Sequence, residues 1–293
     1  MKPTNQLMLG IPKGSLQDAT IELFRRSGWK INVNSRNYFP SINDVSISCA
    51  LCRAQEMSRY VEGGTLDVGL TGKDWIAENG SDVYVVTDLI YSKVTTRPAR
   101  WILAVPQNSE VKKIEDLKGK KISTELVRFT QKYFEDRNIP VKVEFSWGAT
   151  EGKVVSGLAD AIVEITETES TIRAHNLRVI AELMQTNTQL IANHEAWKNP
   201  TKREKIEQIA LLLKGALIAE NLVGIKLNCP KTKLEGIIRL LPSLNAPTLA
   251  ALYNEEWISV ETVIGSDEVR DLIPRLLKEG AEGIIEYPLN KVI

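Results

Sequence analysis

Short apolar runs alternate along this chain with stretches whose apolar positions recur every three or four residues, the patterns of buried strands and amphipathic helices. Leu7 to Pro12 reads as a buried strand closed by Pro12 and a Lys13-Gly14 turn. Gln17 to Gly28 follows with Ala19, Ile21, Leu23 and Phe24 at helical spacing. Val45 to Leu51 predicts a strand, Ala54 to Glu62 a helix, and Leu66 to Leu70 a strand whose Thr71-Gly72 turn opens a helix over Lys73 to Glu78. Strands alternating with helices imply a mostly parallel sheet covered on both faces. Ligands of such sheets lie at the carboxyl ends of the strands, where Lys13-Gly14 and Thr71-Gly72 both fall.

A second α/β unit begins at Trp101 to Pro106. It continues through Ile114 to Leu117, Lys121 to Thr124, a helix over Phe129 to Arg137, and Val141 to Phe145. Leu177 to Ala192 supplies further strands, and Lys202 to Glu220 a long helix with Ile206, Ile209, Ala210, Leu213 and Leu217 on one face. The remainder reads strand (Leu222 to Asn228), helix (Thr232 to Leu241), two strands (Thr248 to Asn254, Trp257 to Ile264), helix (Asp267 to Glu279) and strand (Gly283 to Tyr287). That βαββαβ order is the ferredoxin-like split βαβ.

The richest stretch is GLADAIVEITETESTIRAHNL, Gly157 to Leu177. Ala161, Ile162 and Val163 form a short strand ending in a carboxylate, Glu164. A hydroxyl- and acid-rich turn, Thr166-Glu167-Thr168-Glu169-Ser170-Thr171, leads into a helical run from Ile172 to Asn176. First-turn amides lack intrahelical partners and the helix dipole favours negative charge there, so this arrangement can cup an anion. A carboxylate before the cup could hold ribose hydroxyls or a metal ion. The plainer reading, a strand and a helix joined by a Thr/Ser cap, accounts for the same residues.

Lys plus Arg and Asp plus Glu both number 37, which removes bulk positive charge as a basis for nucleic-acid binding. The amino terminus has no apolar core of signal-peptide length and no run approaches a membrane span, so the expected compartment is the cytoplasm. Three cysteines suit a reducing compartment. Cys49 and Cys52 have the spacing of a metal pair, but only His175 and His194 could complete a site, and the pair is read as structural. His175, just beyond the cup, is a minor candidate for chemistry.

GLADAIVEITETESTIRAHNL resembles the signature of ATP phosphoribosyltransferases, the first enzymes of histidine biosynthesis. Four further stretches carry the same resemblance in order: Leu9-Gly-Ile-Pro-Lys-Gly-Ser-Leu16, Asp67-Val-Gly-Leu-Thr-Gly-Lys-Asp74, Arg97-Pro-Ala-Arg-Trp-Ile-Leu-Ala-Val-Pro106, and Leu272 to Ile293, similar to the end of the long, regulated form. The resemblance implies an α/β fold, a bilobal periplasmic-binding-protein-like catalytic core plus a C-terminal ferredoxin-like regulatory domain. Residues 1–96 and 182–220 would form one lobe, 97–181 the other, and 221–293 the regulatory domain, with chain crossings near Arg97 and near Glu182. It implies condensation of ATP with 5-phosphoribosyl 1-pyrophosphate, with Mg2+, and feedback inhibition by histidine. A bilobal core with a ferredoxin-like tail and exposed strand edges is expected to form a symmetric homo-oligomer, a dimer or a hexamer. Charge balance and hydropathy lead us to expect no nucleic-acid or membrane partner.

By matched position, Thr166, Glu167, Thr168, Glu169, Ser170 and Thr171 would hold the 5′-phosphate and Glu164 the ribose hydroxyls. Lys13 is assigned to the pyrophosphate, and Glu164 and Lys13 are the catalytic candidates. Lys13, Arg53, Asp67 and Thr71 would face ATP, with Glu151 behind Glu164. Ser243, Ala246 and Thr248 are the candidates for histidine contact. Two positions depart from the family. Ser15 stands where many relatives have arginine. Glu169 stands where the cup has glycine, and a carboxylate there would repel a dianion and compete for the cup's N–H groups. Two alternatives stand beside a full enzyme of this family, the first of them opened by Glu169. One is a weakened or silent relative serving as a cytosolic small-molecule sensor; the other is a phosphoribosyltransferase with a different base acceptor.

Overall fold

The computed structural model describes residues 6–34, 37–91, 98–242 and 246–293. They form two compact units, residues 1–210 and 211–293.

The first unit carries two five-stranded sheets. In chain order it begins with β1 (Leu7–Lys13), α1 (Gln17–Ser27), the paired short strands β2 (Ile31–Asn32) and β3 (Ser41–Ile42), β4 (Ile47–Arg53) and α2 (Ala54–Glu62). Then come β5 (Val68–Gly72), α3 (Lys73–Asn79) and β6 (Tyr84–Leu89). The second sheet adds β7 (Ala99–Pro106), β8 (Lys121–Thr124), α4 (Val127–Glu135), β9 (Lys142–Phe145), α5 (Thr150–Val155), β10 (Ala161–Thr166), α6 (Ser170–Ala174) and β11 (Leu177–Thr186). Next are β12 (Thr188–Ala192), α7 (His194–Lys198) and α8 (Pro200–Ile218).

The sheets are ordered β4-β1-β5-β12-β6 and β11-β7-β10-β8-β9. Strand β12 returns to the first sheet and lies antiparallel between β5 and β6. This is the two-lobed architecture of periplasmic binding proteins. One crossing between lobes is Asn187, between β11 and β12. It lies beyond the expected position near Glu182, because bulged β11 stays paired with β7 as far as Thr186. The other crossing, near Arg97, falls outside the described residues.

Both faces of the second sheet are buried at β7, and this is why β7 reads as an unbroken apolar run. Trp101, Leu103 and Val105 pack with Leu117 and Phe134 on one side. Ile102 and Ala104 pack with Ile162, Ile172 and Leu177 on the other. Helix α8 starts earlier than its apolar stripe suggests. Pro200 occupies the first turn, where a missing N–H is harmless, and the Asn199 side chain accepts from Lys202 N at 3.2 Å. Strand β6 and the short helices α5 and α7 lack enough periodicity to be read from sequence.

The second unit contains β13 (Leu222–Pro230), α9 (Leu234–Leu240), β14 (Thr248–Ala251), β15 (Trp257–Gly265), α10 (Val269–Glu279) and β16 (Glu282–Pro288). Its antiparallel sheet, β14-β15-β13-β16, is the ferredoxin-like order. Val223, Ile225 and Leu227 point inward together with Val260, Ile264, Leu272 and Leu276.

Candidate active site

A cavity of about 440 Å3 lies between the lobes of the first unit. Parallel strands β1 and β4 are in register at Lys13 and Arg53, so two basic side chains leave the same sheet edge, and both line the cavity. Gly14 has φ of 111° and lets the chain turn sharply after Lys13. The Lys13 ammonium sits 4.3 Å from the centre of the Tyr38 ring, a cation–π contact.

The back of the cavity is built by carboxylates that sequence reading did not single out. Asp74, in the first turn of α3, is only 3% exposed. Its Oδ2 accepts from Trp101 Nε1 at 2.8 Å, which joins the lobes, and its backbone N donates to Thr186 Oγ1 at 3.2 Å. Burial holds its carboxyl above the usual range, against the bonds from Trp101, Trp75 and Thr186. Glu125 lines the same wall, and burial and then the nearby Asp74 raise its pKa, while a bond from the Gly148 backbone opposes them. Glu78, at the other end of α3, accepts from Arg128 N (3.1 Å) and Phe129 N (2.9 Å) and caps α4 across the lobes. Asp74 and Trp101 both lie within stretches quoted for the family resemblance. Their pairing is a contact between lobes, invisible to periodicity.

The cup segment follows β10. Thr166 Oγ1 accepts from Glu169 N at 2.8 Å, Thr168 Oγ1 donates to Ser170 Oγ at 3.1 Å, and Arg173 donates to the Thr168 carbonyl at 2.7 Å. Ile165 and Glu167 line the cavity, whereas Thr166, Thr168, Ser170 and Thr171 are not part of its wall. Glu169 adopts φ of 59° as the residue before α6. Its carboxylate does not compete for the cup's N–H groups as expected. Arg100 takes it at 2.6 Å, with Arg173 at 3.9 Å.

Glu164 projects from the middle of β10, opposite Ile102 of β7. Burial, with Glu151 and Glu125 adding repulsion, pushes its carboxyl up to about 7. Bonds from the Thr150 hydroxyl and the Ile165 amide act the other way. Glu164 is therefore poised to change charge near neutrality. It too lies outside the cavity lining.

Two expected ATP contacts sit elsewhere. Asp67 precedes β5 and so lies at the amino end of the sheet, away from the strand ends where Lys13 and Arg53 emerge. It is paired with Lys202 Nζ at 2.7 Å and accepts from Met8 N. Thr71 is fully buried and donates to the Ala54 carbonyl at 2.7 Å. Both serve the fold of the first lobe. Ser243 lies outside the described residues, and Ala246 and Thr248 are exposed at and beside edge strand β14. Burial pushes the Cys49 and Cys52 thiols up to about 12, consistent with a structural pair. His175 Nδ1 lies 2.9 Å from the Thr171 carbonyl. Among the described residues no three His, Cys, Asp or Glu converge to hold a metal ion, and no helix is long and apolar enough to cross a membrane.

Comparison with known proteins shows the family to which the chain belongs. The family model described as ATP phosphoribosyltransferase matches residues 53–215, and that of the HisG C-terminal domain matches residues 219–291. An ATP phosphoribosyltransferase of Desulfosudis oleivorans is 70% identical over 290 residues, covering 99% of this chain and 100% of that protein. One from Solidesulfovibrio magneticus is 66% identical over 293 residues and covers 100% of both. Among solved structures, the ATP phosphoribosyl transferase (HisG:HisZ) complex from Thermotoga maritima aligns with a TM-score of 0.63 at 25% identity, over 73% of this chain and 100% of that one. The chain belongs to the ATP phosphoribosyltransferase family of histidine biosynthesis, in the long form that carries its own regulatory domain.

Proposed function

We propose that the cavity and the adjoining cup bring ATP and 5-phosphoribosyl 1-pyrophosphate together. The observation that carries this reading is the register pair Lys13 and Arg53, two cations at one sheet edge facing Ile165 and Glu167 of the cup segment across the cavity. Thr166, Thr168, Ser170 and Thr171 offer hydroxyls and turn amides to the 5′-phosphate. Glu164 takes the ribose hydroxyls. Lys13 and Arg53 hold the phosphate chains of the two substrates.

Adenine N1 attacks C1 of the ribose as the bond from C1 to the diphosphate oxygen breaks, and the electron pair leaves with pyrophosphate. Positive character builds at C1 and negative charge on the leaving group. Fixed cations at the leaving group and a fixed geometry for N1 therefore supply the rate enhancement. Among the described residues no group of three His, Cys, Asp or Glu is gathered that could hold a resident metal ion. Mg2+ enters with the diphosphate, and the charge it neutralises is the substrate's.

Histidine is the ligand of the 211–293 unit, acting as feedback inhibitor through a coupling of about 1–3 kcal/mol. The protein works in the cytoplasm as a homo-oligomer, a dimer or a hexamer of dimers. Pyrophosphate release is the direct assay. It should require both substrates, and Lys13→Ala and Arg53→Ala should each lower kcat/KM by about ten- to a hundredfold, the loss of one charge-assisted bond. Undiminished turnover in both variants would remove these residues from the site. Release unchanged at millimolar histidine would end the regulatory assignment.

A further inference from the structure

Glu169 combines three features. It holds a left-handed backbone conformation, φ 59°, for which glycine is the ordinary residue. It stands at the turn into α6, beside the hydroxyls of Thr168 and Ser170. Its carboxylate is bound by a guanidinium that belongs to another strand.

That guanidinium is fixed by the sheet. Arg100 lies opposite Thr166 in the β7–β10 ladder and opposite Gln185 in the β7–β11 ladder. Its second nitrogen reaches Glu182 at 3.4 Å, and Glu182 in turn accepts from Gln185 at 3.1 Å. Arg173 is the other cation within reach of Glu169, at 3.9 Å, but it is engaged with the Thr168 carbonyl and its side chain is largely exposed.

We propose that Arg100 is a positioning residue for the phosphoribosyl substrate, holding the Glu169 carboxylate away from the cup so that its amides and hydroxyls remain available to the phosphate. Arg100 acts through Glu169 and need not touch the substrate. This rests on the assignment of the Thr166–Thr171 segment to the 5′-phosphate.

A second-site cycle on the full-length enzyme tests it, with KM for 5-phosphoribosyl 1-pyrophosphate at saturating ATP as the readout. Arg100→Gln should raise this KM tenfold or more while kcat changes less than threefold, and Arg100→Lys should recover part of the loss. Glu169→Gly alone should move KM less than threefold. The double variant should return KM to within threefold of the parent, because with the carboxylate gone nothing is left for Arg100 to restrain. A loss in Arg100→Gln that persists in the double variant would overturn the proposal, since direct contact or structural damage would then be the cause. So would an Arg100→Gln variant with unchanged KM. Ser170→Ala and Thr171→Val control for the underlying assignment. If neither raises KM, the segment does not bind the phosphate, whatever the Arg100 cycle shows.

Discussion

Two strand-to-helix turns face the same cavity and are built in opposite ways. In the β5–α3 turn the strand ends at Gly72 and the helix begins at Lys73 with nothing between. Its polar groups are satisfied internally, Thr71 by Ala54 and Asp74 by Trp101, and both side chains are buried. In the β10–α6 turn three residues separate Thr166 from Ser170, and Thr168 and Ser170 are left with hydroxyls near solvent. Buried polar atoms must find protein partners, so a tight turn becomes a joint between lobes. A looser turn leaves its hydroxyls exposed, where a ligand can reach them.

The sharpest way to break this comparison is to add volume to the tight turn. A Cβ at Gly72 would fall 2.0 Å from Asp74 Oδ1, and moving that carboxylate strains its bond to Trp101. Overpacking and the weakened buried hydrogen bond together predict that Gly72→Ala lowers stability by about 3 kcal/mol. Urea unfolding measures it. A variant within about 0.5 kcal/mol of the parent would mean the joint has slack.

Trp101→Phe probes the same joint from the other lobe. It leaves Asp74 buried without its strongest donor, at a cost of about 2 kcal/mol. The sign with pH follows from the raised carboxyl. A group whose folded pKa exceeds its unfolded value loses stability as pH rises between the two. Removing a donor to the charged form raises the folded pKa further, so the cost should be greater at pH 8 than at pH 5. A cost that shrinks with rising pH would contradict the assignment of Asp74 as the acceptor.

The looser side of the comparison has its own titration. Glu164 is pushed up to about 7 in the fold against an ordinary glutamate value near 4.3. The folded protein therefore holds a proton that the unfolded chain has lost, and stability falls as pH climbs from about 4.5 through 7. Because the group is only partly buried, a fall of about 1 kcal/mol is expected. Glu164→Gln should remove that contribution of about 1 kcal/mol, leaving the parts due to Asp74 and Glu125. Unchanged slope in thermal unfolding from pH 5 to 8 would place the titration elsewhere.

What could be read from the chain alone divides along the same line. Apart from β2, β3 and β6, the strands carry periodicity and turn residues, as do the cup and the ferredoxin-like tail, and they fold where the pattern places them. The matched-position reading of Asp67 as an ATP contact takes no account of strand polarity. With β5 starting at Val68, Asp67 falls at the wrong end of a parallel sheet for a ligand. Thr71 is likewise expected at the ligand by position, but it lies within β5 and its side chain is turned to the Ala54 carbonyl at the start of α2. Asp74, Glu78 and Arg100 act through partners 27, 50 and 69 residues away, and no local pattern encodes such pairs. Glu169 repels an anion in the cup only in the absence of its counter-ion, and that counter-ion, Arg100, comes from another strand.

Glu169→Gly gives the smallest effect and the closest test of how tolerant the looser turn is. Three contributions oppose one another. Releasing a non-glycine residue from the left-handed region gains about 1–2 kcal/mol. The added freedom of glycine in the unfolded chain costs about 0.4–1 kcal/mol. Loss of the partly exposed pair with Arg100 costs up to about 1 kcal/mol. The sum predicts a variant about 0.5 kcal/mol more stable than the parent, visible as a small upward shift in Tm. A loss of 1 kcal/mol or more would mean that the Arg100–Glu169–Glu182 network holds β7, β10 and β11 together. The looser turn would then be a joint as well, and the contrast with the Gly72 turn would be one of degree.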